Sequence, residues 1–206
     1  MSYNSIFMVF FVGLVYIIIV GGMALLQREG LSLRFALESI FLTILTAALA
    51  AAGANVHPIV FLLVLYLITM RVRLMVELAT IYAKRGRFEI SERLFALALH
   101  IWPDQTNRLI VKVNYGTLLL QQGNLEKSIA TFKEILDQQK SGYLGRKYEA
   151  ATHYNLGIAY LRKNLEAQAA VEFNSAIDTL PASVYARRAA QALEQRRHKG
   201  SNKSSY

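Results

Sequence analysis

The side chains able to do chemistry in this chain are few and dispersed. Four histidines, His57, His100, His153 and His198, stand far apart, and none has a partner at the HExxH spacing or a related one that would hold a metal. Cysteine is absent, which removes disulfides, thiolate nucleophiles and the usual zinc-finger ligand sets. There is no P-loop and no GxSxG nucleophile motif, and Gly142 and Gly145 in KSGYLGRK lack both the spacing and the preceding strand of a phosphate loop. Glu38 lies in an otherwise apolar stretch. It could handle a proton or an ion inside a membrane. The favoured reading is a carboxylate at headgroup level near a helix N-terminus, since no second intramembrane acid or base accompanies it. No catalytic residue, metal site or cofactor is therefore expected.

The elements around these residues divide the chain in two. Residues 5–26 carry no charged side chain, and 22 residues at about 1.5 Å each span a hydrocarbon core of roughly 30 Å. The preceding MSYN has no positive charge, so an uncleaved span is favoured over a signal peptide. A second apolar stretch at about 35–54 ends in TAALAAAGA, where Ala47 and Ala51, and Ala50 and Ala54, offer a small-residue face to another helix. A third, at about 56–71, is shorter and ends at Arg71 and Arg73. It is read either as a crossing helix or as the return limb of a re-entrant hairpin. Charge favours crossing: the loop with Arg28 and Arg34 and the segment after Met70 are basic, while Gly53 to Pro58 is uncharged. Three spans with the N-terminus outside then put both basic parts in the cytoplasm. The third stretch is expected to run almost directly into the next helix, holding the C-terminal half of the chain close to the bilayer.

Charge is distributed as unevenly as hydropathy. Residues 1–70 contain Arg28, Arg34, Glu29 and Glu38 as their whole charged complement, so the net charge of +9 belongs to the remaining residues. Such an excess suits an anionic lipid surface, an acidic partner or RNA. Aromatic and basic residues do not interleave on one face as base stacking requires, so nucleic acid is the least favoured of the three.

Beyond residue 70 the chain repeats itself. Leu156, Gly157, Tyr160, Ala169, Phe173, Ala176 and Pro181 set small and large residues as two antiparallel helices at close range require. The same order recurs at Tyr115, Gly116, Leu119, Gly123, Leu125, Ser128, Phe132 and Ile135, and again at Leu78, Ala79, Tyr82, Gly86, Phe88, Ser91, Phe95, Ala98 and Pro103. In each copy the small residue precedes the Phe by 16 positions: Ala79 to Phe95, Gly116 to Phe132, Gly157 to Phe173.

This pattern resembles the tetratricopeptide repeat, whose period is about 34 residues. The copies here lie 37 and 41 residues apart, and the additions are expected in loops near Thr106 to Arg108 and Gly142 to Tyr148. The chain is thus read as all-α. Two to three N-terminal transmembrane helices (1–71) lead into three repeats (about 72–105, 109–142 and 150–183), a capping helix (184–198) and a disordered tail (199–206).

The resemblance implies a concave groove built from the first helix of each repeat, and a protein segment as its ligand. The groove positions so implied are Arg73, Val76, Thr80 and Lys84; Val113, Asn114, Thr117 and Gln121; Tyr154, Asn155, Ile158 and Arg162. Asn114 and Asn155 occupy equivalent places, where an amide either bonds the backbone of an extended peptide or hydrogen-bonds within the solenoid. Members of the family that bind chaperone tails clamp a terminal carboxylate with Lys and Asn. Here Val76 and Thr80 fall at the corresponding positions, so that clamp is incomplete. The expected role is a membrane-tethered scaffold or adaptor on the cytoplasmic face of an inner or, in a photosynthetic cell, thylakoid membrane, helping to assemble or stabilise a membrane complex. Spans followed by three repeats also resemble the photosystem assembly factors of cyanobacteria and plastids, without a motif specific to them. The alternative is a small membrane enzyme or transport subunit that uses Glu38 and His57 and is regulated through the repeats.

Overall fold

Small residues facing large ones determine how the helices pair. In the computed structural model, which describes residues 2–29, 32–139 and 144–203, ten helices and no strand occur among the described residues. The first three are α1 (Ser2–Leu26), α2 (Leu33–Ala51) and α3 (Pro58–Thr69). Then come three helical hairpins, α4 (Arg71–Lys84) with α5 (Phe88–His100), α6 (Gln105–Gln121) with α7 (Leu125–Gln139), and α8 (Arg146–Arg162) with α9 (Glu166–Thr179). The last helix, α10 (Val184–Lys203), packs on α8 and α9.

Each hairpin closes around its small residue. A Cβ on Gly116 would meet the Phe132 ring at 2.7 Å, and one on Gly157 would meet Phe173 at 2.6 Å. These contacts leave room for hydrogen alone, so the 16-residue spacing is a packing rule written into the chain. Ser91 and Ser128 reinforce it by donating to the carbonyls of Ala79 and Gly116 at 2.8 and 3.0 Å. The turns are also equivalent: Gly86, Gly123 and Asn164, each seven residues after the small residue, have φ of 72°, 80° and 60°. Glycine adopts that left-handed conformation without penalty, and asparagine is among the side chains that tolerate it.

The length added at the first joint goes into helix rather than loop. Thr106 to Arg108, expected in a loop, form the first turn of α6, which has 17 residues against 14 in α4. Asp104 caps that turn by accepting from the Asn107 amide at 2.8 Å, and this gives the extension a stable start. Of the second expected loop, residues 140–143 lie outside the described residues, while Tyr148 is already in the first turn of α8. Helix α10 continues past His198 to Lys203, through residues expected to be irregular; 204–206 lie outside the described residues.

Helices α1 and α2 are long and apolar enough to cross a membrane; a third crossing arises if α3 and α4, bent by 71° at Met70, count as one span. The third apolar stretch is therefore joined to the first repeat through one residue but is not collinear with it. Against α1, α2 buries Phe35, Ser39, Thr43, Ala47 and Ala50, whereas Ala51 and Ala54 are exposed. A Cβ on Gly13 would overlap the Thr43 side chain, so the helices approach at a pair of small positions, one on each.

Candidate interaction surface

The first helices of the repeats, α4, α6 and α8, lie side by side and line one face of the array. The twelve groove positions expected from the sequence all lie on them, but they do different work. Val76 and Val113 are buried in the helix interfaces, and Ile158 and Tyr154 pack against the core, with the Tyr154 ring 6.0 Å from those of Phe173 and Tyr185. Asn155 donates to the Thr117 hydroxyl at 3.0 Å, and Arg162 to the Leu120 carbonyl at 2.7 Å, tying α8 to α6. The Asn114 amide donates to the Ile110 carbonyl at 2.8 Å within its own helix. The two asparagines are equivalent in sequence but not in use. Thr80 and Thr117 donate to carbonyls one turn back, at 2.8 and 2.9 Å. Lys84 and Gln121, at the C-terminal ends of α4 and α6, are exposed.

Arg73 engages the chain itself. The loop between α1 and α2 reaches the N-terminal ends of α4, α6 and α8, and Glu29, 6% exposed, binds Arg73 of α4 at 2.5 Å and Lys147 of α8 at 2.6 Å. The Lys147 backbone amide, one of the donors that a helix start leaves unsatisfied, bonds the Arg28 carbonyl at 3.1 Å. Burial works to raise the Glu29 pKa; hydrogen bonds and charge from Lys147 and Arg73 outweigh it, so the carboxyl stays below its ordinary value. Burial, followed by the negative charge of Glu29, pushes the neighbouring Tyr148 hydroxyl up to about 12. Tyr148 is thus neutral near pH 7.

Two further links join the same regions. Ser32 caps α2 by accepting from the Phe35 amide at 3.1 Å and donates its hydroxyl to Asp104, the cap of α6. Arg71 makes a two-pronged contact with Glu38, at 2.6 and 2.9 Å, and Arg34 joins the same carboxylate at 2.6 Å. Glu38 therefore has two basic partners, one supplied by the first repeat helix, and its geometry is that of a structural clamp. His57 immediately precedes α3 and is exposed. His153 contacts Glu172 at 2.7 Å.

Sequence reasoning missed Glu29, Lys147, Ser32, Asp104 and the Glu38 partner Arg71. The one available signal was that Glu29 and Glu38 are the sole acids before residue 71, in a region facing many bases.

The model of the tetratricopeptide repeat matches residues 71–141 and 105–182, more than half of the chain. The protein belongs to the tetratricopeptide repeat family. Repeats of this kind are generally non-enzymatic scaffolds for protein–protein interaction. No curated protein and no solved structure matches the chain.

Proposed function

We propose that the protein is a membrane-tethered adaptor that presents its repeats at the bilayer surface to a segment of a partner protein, in assembly or stabilisation of a membrane complex. The observation that carries this reading is the burial of Glu29 between Arg73 and Lys147. It fastens the loop between two membrane-length helices to the first and third repeats, so the loop and the repeat array share one side of the membrane. Helices α1 and α2 cross, the N-terminus lies on the far side, and α3 brings the chain back. With its 12 residues, α3 is about 18 Å long, short of the roughly 30 Å core, and Arg71 and Arg73 mark where it surfaces. The basic loop and helix ends then face the cytoplasm, in an inner or thylakoid membrane.

Engagement of Arg73, Asn155 and Arg162 within the chain leaves Lys84 and Gln121, with the Thr80 hydroxyl as an acceptor, as polar groups for a partner, beside the apolar Tyr154 and Ile158. An extended segment with apolar side chains and an acid matches this set. The test is affinity purification of crosslinked full-length protein in mild detergent, compared with a Thr80→Ala, Lys84→Glu, Gln121→Ala variant. Loss of a membrane-complex subunit from the variant supports the groove as the binding site. An unchanged set of partners assigns binding to another face and overturns the reading.

A further inference from the structure

Trp102 is the chain's sole tryptophan, and the residue is 78% exposed. It sits between α5 and α6 with φ of 52°, a left-handed conformation that a bulky residue adopts at a cost. Two arginines at the junction of the N-terminal helices and the first repeat hold this strained backbone. Arg34 of α2 donates to the Trp102 carbonyl at 2.7 Å, and Arg71 donates to that of Ile101 at 3.3 Å. The indole is thereby aimed outward beside α2 and α3. It borders an open cleft of ≈ 480 Å³ that is also lined by Phe41, Leu42, Leu67, Ile68 and the Glu38–Arg71 pair. The lining is thus apolar apart from that ion pair, and on the same helix as Phe41 and Leu42, α2, Leu33 and Leu37 are also exposed.

Resting on the membrane crossing proposed above, we infer that Trp102 is an interfacial anchor and that the cleft beneath it takes an acyl chain of a bilayer phospholipid. An indole has an apolar body and one N–H donor, which suits the headgroup boundary better than either water or hydrocarbon. The charged pair marks that boundary on the cleft itself, and the apolar walls below it have the chemistry of lipid tails. The corner between the first and second repeats is then seated in the headgroup layer, adding a second attachment beside the Glu29 loop.

A single native tryptophan makes this directly measurable. Full-length protein would be reconstituted in phosphatidylcholine vesicles containing brominated phosphatidylcholine, with bromines either near the glycerol end or near the methyl end of the chains. Trp102 emission should be quenched, more strongly by the shallow bromines, and shielded from aqueous iodide. A Trp102→Phe, Phe41→Trp variant supplies the reference: its indole, one turn past Glu38, should be quenched more strongly by the deep bromines. Quenching at position 41 without quenching of Trp102 overturns the anchor and leaves the membrane crossing intact. Quenching at neither position overturns both. Equal quenching of Trp102 by shallow and deep bromines also overturns an interfacial position.

Discussion

The helices before Met70 and those after it are packed by the same contact and turned inside out relative to one another. In the repeats a Gly or Ala admits a large ring, and Phe95, Phe132 and Phe173 are fully enclosed. In the N-terminal bundle Gly13 admits Thr43, the buried stripe of α2 beyond Phe35 is small, Ser39, Thr43, Ala47 and Ala50, and alongside an enclosed Phe61 and Leu65 many large apolar residues point outward, Phe11 at 58% and Leu33 at 74% exposed. Water drives the first arrangement, because burying a ring removes apolar surface from it. A lipid-facing helix gains nothing by hiding leucine, so close backbone approach and hydrogen bonds decide which face turns inward. The contrast is the one that the proposed membrane crossing of the N-terminal helices requires.

The contrast fails most visibly if one substitution has the same effect in both regions. Phe132→Ala should destabilise the repeats by about 3–5 kcal/mol, whereas Phe11→Ala in detergent should change stability by less than about 0.5 kcal/mol. Urea titrations followed by helical circular dichroism measure both, and equal costs would contradict the two-solvent account.

Next in size is the tie between regions. Glu29→Gln should cost about 2 kcal/mol, less than a fully buried pair because Arg73 and Lys147 are 27% and 37% exposed. Since the folded-state pKa of Glu29 lies below the ordinary value of 4.5, this contribution is complete above that pH and is lost as pH falls through the lower folded value. The stability difference between the natural chain and Glu29→Gln should therefore shrink on acidification below about 4.5, the ordinary value. A constant difference would show that the carboxylate's charge is not what holds the loop.

Within the bundle, Gly13→Val forces the α1–α2 contact apart and should lower stability by about 1–2 kcal/mol. Pairing it with Thr43→Ala should recover part of the loss, and thermal aggregation in detergent reads both. The smallest effect belongs to Asn155→Ala, which removes one hydrogen bond between α8 and α6, for about 1 kcal/mol. A much larger loss would mean that Asn155 organises the array.

What the sequence could reveal depended on chain distance. The 16-residue interval, the turn seven residues after each small position and the long apolar runs are local patterns, set by helix period and hairpin closure. The links between bundle and repeats join residues 44 and 118 positions apart, and no periodicity announces a pairing of Glu29 with Arg73 and Lys147. For the same reason Arg73 was expected in a ligand groove: the repeat pattern gives its helix position but not the loop that meets it. Asn114 and Asn155 show the limit within the pattern itself, because the equivalent amides take different partners, a carbonyl of its own helix for Asn114 and the Thr117 hydroxyl for Asn155.

One residue, Met70, separates α3 from α4. A receptor on a long tether searches a volume and meets partners at any angle and height. With Met70 as the whole joint and the Glu29 loop as a brace, the repeat array is held at one height and one heading relative to the N-terminal helices. On the membrane crossing proposed above, encounter would be reduced from a volume to a plane, and a partner would be selected by where its segment leaves the membrane as well as by the side chains it carries.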